Sequence, residues 1–198
     1  MSPCGNSSGN IVLVGLSGAG KTSCAQILAG LLDLNVLDTD EVIQKNEGRT
    51  VAAIFTDNGE AHFRALERAL IENLLQVKLS GTVISVGGGL PAQADNASLL
   101  KELGFTIFLD AQPTTIAARL AADLSRDHSL RPLLTGGRDC KVEKKSQIKN
   151  ENLLATLEQQ LAGRRKYYEE AHLVINTEGK SADEICREIQ TIIVNNSS

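Results

Sequence analysis

Gly15, Gly20, Lys21 and Thr22 stand at the spacing G-x-x-x-x-G-K-[ST], inside the stretch Ile11 to Ser23 that reads IVLVGLSGAGKTS. These residue types at this spacing hold phosphate. Glycines, Gly18 among them, let successive backbone N–H groups turn inward toward phosphate oxygens, and the helix that follows adds its positive end. Lys21 offers a mobile cation to the β- and γ-phosphates, and Thr22 offers a hydroxyl to Mg²⁺. The motif is informative where a strand leads into it and a helix leaves it. Both signals are present: Ile11 to Val14 is a β-favouring apolar run, and Ile27, Leu28, Leu31 and Leu32 follow at helical spacing.

Further along, Asp38 and Asp40 close a short β-like run at 35–38. Two explanations stay open. Asp38 or Thr39 can cap the next helix, with the carboxylates favoured by its dipole. Alternatively, the pair faces a ligand at the carboxyl end of a strand, where doubly wound sheets bind. Gly87-Gly88-Gly89 follows Thr82 to Val86 directly, and three bare residues lose much entropy on folding, so a tight turn or a close approach must need them. Arg64 has Glu67 three residues on, close enough to pair on one helical face, though a solvated arginine remains open. Arg131 sits in Arg131-Pro132-Leu133-Leu134, within a polar stretch from Asp123 to Asn150 whose length signals a mobile lid or disorder.

The elements that must position these residues follow from periodicity. Strands are expected at 11–14, 35–38, 82–86, 105–109 and 173–175. Between them, Gly48 to Gly59 reads as a turn and connector, broken at Asp57-Asn58-Gly59. From Glu60 a helix sets Phe63, Leu66, Leu70, Leu74 and Val77 on one face. Further helices are expected near 95–103, from Pro113 through Ile116, Ala117 and Leu120, and from Leu153 to Tyr168. A last helix opens with the capping box Ser181/Glu184 and buries Ile185, Ile189, Ile192 and Ile193. Strands alternating with helices predict an α/β fold: one five-stranded parallel sheet flanked by helices, with a mobile lid at about 123–150. Residues 1–10 read as a disordered lead-in, 11–194 as a single domain built on the phosphate loop, and 195–198 as a frayed tail.

Composition narrows the classes. At 198 residues and 42% hydrophobic content the chain can bury a sizeable core. A net charge of −4, with four Phe, two Tyr and no Trp, argues against nucleic-acid or membrane-surface binding. The four cysteines, at 4, 24, 140 and 186, have neither metal nor disulfide-framework spacing, and His62, His128 and His172 have no ligand spacing. With no apolar span and no signal-type start, a cytoplasmic protein is expected, although a removed targeting segment would leave no trace.

Taken together, GLSGAGKT, DTD, GEAHFRALE, GGG, RPLL and RRKYYEEA resemble, in that order, the shikimate kinases, a family of small P-loop kinases. The resemblance covers about residues 10 to 194. It implies transfer of the ATP γ-phosphoryl group to the 3-hydroxyl of shikimate, with Mg²⁺ as cofactor and a monomer as the working unit. By the same resemblance Gly18, Ala19, Gly20, Lys21, Thr22 and Ser23 hold the nucleotide phosphates, Thr22 and Asp38 serve the metal, and Asp40 binds the acceptor hydroxyls. Arg64 and Arg164 clamp the carboxylate, Gly87, Gly88 and Gly89 line the same pocket, Arg119 flanks the adenine, and Arg131 swings in on the lid. The assignment of Arg164 over Arg165 rests on an alignment good to one residue. Planar arginines suit a carboxylate better than lysines do. Asp40 is expected mainly to position the hydroxyl, with Lys21, Mg²⁺ and Arg131 stabilising the transferring group.

One departure stands out. The interval from Arg131 to Arg164 is about a dozen residues longer than the usual family spacing, with the excess around Gly137 to Lys149. A tolerated surface insertion is the simpler account, since lengthening a loop costs little; altered lid closure is the other. A related sugar-acid kinase such as a gluconate kinase, and a non-catalytic nucleotide-binding relative, are the alternatives. The second would be expected to lack Asp40 or an arginine clamp, and both are present.

Overall fold

The computed structural model describes residues 9–93, 95–126 and 145–195. Five strands, β1 (Ile11–Val14), β2 (Asn35–Asp38), β3 (Thr82–Ser85), β4 (Phe105–Asp110) and β5 (Leu173–Asn176), form one sheet in the order β2-β3-β1-β4-β5. Every pairing is parallel. Strands buried on both faces must be apolar throughout, and β1 is: Ile11, Val12 and Leu13 are wholly enclosed. The edges are looser, with Val36 on β2 and Val174 on β5 both exposed. The chain leaves β1 toward one edge, returns through β3 and then passes to the other side through β4. The switch in strand order therefore falls at the carboxyl end of β1, where such sheets form their binding crevice.

The crossovers are α1 (Lys21–Leu32), α2 (Thr39–Glu47), α3 (Val51–Gln76), α4 (Asn96–Leu103) and α5 (Pro113–Arg126), followed by α6 (Lys145–Tyr168) and α7 (Ala182–Asn195). A short 3₁₀ turn at Leu90–Ala92 precedes α4. The expected capping box opens α7: the Glu184 N–H donates to Ser181 Oγ at 3.3 Å, and the Ser181 N–H to Glu184 Oε2 at 2.8 Å. At the opposite end of the sheet from the crevice, buried Asn10 donates to Leu79 O (2.7 Å) and Leu103 O (2.9 Å) and accepts from Thr82 N (3.1 Å). One amide thus fixes the entries to β1, β3 and β4.

Three expectations change. The connector at 48–59 is helical from Val51, because Thr50 caps it through Ala53 N (3.2 Å) and Ile54 packs with Ile43 and Phe63 in a small second core. The Asp57-Asn58-Gly59 break is real, but it is a kink within α3, at Gly59 (φ 80°, ψ 172°). Val77 leaves the buried face: it caps the end of α3 and is 61% exposed. Finally, helix occupies both ends of the 123–150 stretch, since α5 reaches Arg126 and α6 starts at Lys145. Arg131 and residues 137–144 of the expected insertion lie outside the described residues. Among the described residues no helix is long and apolar enough to cross a membrane.

Candidate active site

The loop from Gly15 to Gly20 joins β1 to α1 at the crevice. Gly20 caps α1 with φ 97°, a conformation that a side chain would strain, and so the first turn of α1 points its N–H groups into the loop. Lys21 is almost enclosed, its Nζ donating to Gly15 O (2.9 Å) and Leu16 O (2.8 Å), which folds the cation back along the loop. Ala19 is buried, and its carbonyl accepts from Arg119 Nη1 at 3.2 Å, which draws α5 onto the loop; Ser23 faces solvent on α1.

Asp38 caps the next helix and also reaches the phosphate loop's Thr22. Its Oδ1 accepts from Asp40 N (3.0 Å) and Glu41 N (3.4 Å), capping α2, while Oδ2 accepts from the Thr22 hydroxyl at 2.9 Å. Ser85 Oγ, at the end of β3, lies 3.4 Å from the same hydroxyl. A hydroxyl, a carboxylate oxygen and a second hydroxyl beside a phosphate loop are hard oxygen donors, the set a Mg²⁺ ion that keeps its waters would use. Thr39 is not the cap; it is fully buried and its Oγ1 accepts from Gly87 N at 3.0 Å, tying β2 to the glycine triplet.

The triplet explains itself by close approach, since none of its three glycines has a left-handed φ. A Cβ on Gly87 would stand 2.5 Å from Glu67 Oε1 and 2.9 Å from Asp40 Oδ1. On Gly88 it would stand 2.9 Å from the Ser17 nitrogen of the phosphate loop, and on Gly89 2.6 Å from Arg64 Nη2. The triplet is a wall with Arg64, Glu67 and Asp40 on one side and the phosphate loop on the other, thin enough for both to press on it.

Arg64 is held from several directions. Glu60 accepts from its Nε (3.1 Å) and Nη2 (2.7 Å), Glu67 accepts from Nη1 (2.7 Å), and the rings of Phe55 and Phe63 lie 5.9 and 5.7 Å from its guanidinium carbon. The solvated alternative is thereby excluded. Glu67 is completely buried, and burial pushes its pKa up to about 7 against the attraction of Arg64; Asp40 pushes the same way and Arg164 opposes. The carboxyl is therefore surrounded by Arg64, Asp40 and Arg164, three residues singled out from the sequence.

On α6 the two adjacent arginines part. Arg165 turns outward to Asp110 (2.7 Å) and Glu169 (2.7 Å). Arg164 lies on the side of the buried Glu67 and Tyr168, close enough for its charge to act on both, and the Tyr168 hydroxyl donates to Gly88 O. Sequence reasoning did not select Glu67, Thr39, Ser85 or Tyr168 as site residues. The signals available were spacing alone: Glu67 three residues after Arg64, and Tyr168 four after Arg164.

Comparison with known proteins places the whole described domain in one family. The family model for shikimate kinase matches residues 17–194. A shikimate kinase of Persephonella marina is 37% identical over 180 residues, covering 91% of this chain and 96% of its own length. The shikimate kinase of Acinetobacter baumannii, solved in complex with shikimate, superposes with a TM-score of 0.78 at 32% identity, over 94% of this chain and 93% of its own. A gluconokinase of Sinorhizobium meliloti, at 18% identity and a TM-score of 0.55, shares the fold.

Proposed function

The chain belongs to the shikimate kinase family, and we propose that it transfers the γ-phosphoryl group of ATP to the 3-hydroxyl of shikimate, giving shikimate 3-phosphate and ADP. The observation that carries this is Arg64, pinned by Glu60, Glu67 and two aromatic rings on one side of a glycine wall whose other side is the phosphate loop. A fixed guanidinium matches a carboxylate in two parallel hydrogen bonds, and Arg164 supplies a second cation to the same anion. Asp40, beside Gly87, orients the acceptor hydroxyl toward the γ-phosphate. Because phosphoryl transfer passes through a loose transition state, orientation and charge stabilisation do most of the work there.

On the nucleotide side Gly18, Ala19, Gly20, Lys21, Thr22 and Ser23 receive the phosphates. Lys21 exchanges its loop carbonyls for phosphate oxygens, a trade within reach of its flexible stem. Thr22 and Asp38 would hold Mg²⁺, which when bound would supply positive charge to offset that of the phosphates. Arg119 sits over the loop near the base, and Arg131 completes the charge from the lid. A cytoplasmic monomer is part of the proposal.

The deciding experiment follows ADP release with Mg-ATP and shikimate, gluconate, a nucleoside monophosphate or no acceptor. Turnover with shikimate alone, cut about 10²–10³-fold in kcat/KM by Arg64→Ala, is the expected result. Turnover that prefers gluconate, or clear nucleotide binding with no turnover on any acceptor, overturns the proposal.

A further inference from the structure

Thr39 opens α2 and is fully buried, one residue past the point where β2 stops. Bulk alone would be served there by valine, which has the same shape and no polar atom to satisfy. The hydroxyl has a definite task, set by the sheet. Along a strand, successive backbone N–H groups point alternately to the two neighbouring strands. Val86 N donates to Leu13 O of β1 at 3.3 Å, so the next donor, Gly87 N, faces the β2 side. By then β2 has ended: its last paired residues are Asp38 and Ser85, and the chain turns into α2 under the Asp38 cap. Thr39 Oγ1 stands in for a strand carbonyl and accepts from Gly87 N at 3.0 Å. With Leu90 N donating to Gly87 O at 3.0 Å, the first glycine of the wall is held on both sides.

We propose that Thr39 is a positioning residue for the acceptor: its hydroxyl extends the β2–β3 ladder by one bond and so holds Gly87 against Asp40. The inference rests on the functional proposal above and adds to it a residue that need not touch substrate. Asp40 follows Thr39 directly, and its Oδ1 packs so closely on Gly87 that a Cβ there would stand 2.9 Å away. On the next glycine, Gly88, a Cβ would stand 2.9 Å from Ser17 N of the phosphate loop. The seat of the wall therefore sets how far an acceptor hydroxyl beside Asp40 lies from the transferring phosphate. Reacting atoms must be held about 3–3.5 Å apart and aligned, and a small misplacement costs rate. Without the hydroxyl, Gly87 N–H becomes a buried donor with no acceptor, and the wall shifts to relieve it.

The test compares two variants of the full chain. Thr39→Val keeps the shape and deletes the hydroxyl, while Thr39→Ser keeps the hydroxyl and deletes the methyl group. Initial rates are measured with shikimate and ATP varied in turn, alongside thermal melting. In Thr39→Val kcat should fall roughly tenfold, the size of one unmade hydrogen bond felt in the transition state, with the KM for ATP changed by less than about twofold. Thr39→Ser should keep kcat within about threefold of the unaltered chain. A merely structural role would lower the melting temperature and leave kcat of the folded fraction unchanged. An unchanged kcat in Thr39→Val, an equal loss in Thr39→Ser, or an ATP KM that rises as far as kcat falls each overturns the inference. If Thr39→Val does not fold, Thr39→Ala takes its place under the same criteria; failure of both to fold assigns the bond to folding and overturns the inference. If the unaltered chain phosphorylates no shikimate, the functional proposal itself fails and carries this one with it. Normal turnover in the unaltered chain with an inert Thr39→Val removes the positioning role alone.

Discussion

Two buried polar side chains sit at opposite ends of the same sheet and are treated in opposite ways. Asn10, below β1, has its amide satisfied three times over, by Leu79, Leu103 and Thr82. Glu67, at the crevice, is equally enclosed, yet only Oε2 is engaged; Oε1 is buried without a hydrogen-bond partner among the described residues. A satisfied neutral amide adds stability, while a half-satisfied carboxyl in a low-dielectric site costs it. The amino end of the sheet is built to hold. The carboxyl end gives up stability to keep an arginine, a carboxyl and a bare glycine wall in place before any substrate arrives, as expected where pre-organisation matters.

That contrast can be broken by experiment. The largest effect should come from Arg64→Ala: a drop in kcat/KM for shikimate of about 10²–10³-fold, in line with truncating one partner of a hydrogen-bonded charge pair made with the substrate. Its melting temperature should move little, because Glu67 can take up a proton once Arg64 is gone. Steady-state kinetics beside a melting curve decide it, and a large loss of stability with intact kinetics would erase the distinction between the two ends. Asn10→Ala should do the reverse, costing about 1–3 kcal/mol through groups left unsatisfied. That amounts to roughly 2–4 °C of melting temperature per kcal/mol, with kcat and both KM values unchanged in the folded fraction.

A pH series sharpens the comparison further. Glu67 has its folded pKa raised to about 7 from the ordinary 4.5, so the folded state binds its proton more tightly than the unfolded chain does. Its stabilising contribution is therefore complete below about 4.5 and lost as pH rises through about 7. Between pH about 5 and about 8, the urea midpoint of the unaltered protein should fall relative to that of Glu67→Gln; parallel curves would show that the carboxyl does not titrate there. The smallest effect is expected for Arg165→Ala. Its bridge to Glu169 is exposed and its two-pronged bridge to Asp110 half-buried, so it should cost about 1 kcal/mol and leave the shikimate KM alone. Arg164→Ala, by contrast, should raise that KM; the reverse pattern would exchange the two arginines.

Much of this was legible in the chain itself, at definite places. The phosphate loop, its strand and its helix could be read because the motif is local and each residue type has one physical job there. The capping box at Ser181/Glu184 and the kink at Gly59 were local for the same reason. The helical character of 51–58 was hidden: its reward is the packing of Ile54 on Ile43 and Phe63, which are distant from it or beyond the break. Glu67 was visible only as a neighbour of Arg64. Nothing in its spacing says that it is wholly buried or that Gly87 and Asp40 close over it.

The sequence by itself determined the order of elements, the parallel sheet and the phosphate-binding loop, because hydrophobic period, glycine placement and capping act over a few residues. It also named the chemistry, through two arginines and two aspartates of the right kinds. Only the tertiary structure decided which of two adjacent arginines lies toward Glu67, why three glycines stand in a row, and that one buried tyrosine hydroxyl bonds the middle glycine. Those outcomes depend on contacts between the glycine triplet, α3 and α6, and the bond from Tyr168 to Gly88 alone spans 80 positions. Over such separations the chain carries no local signal, and packing alone chooses.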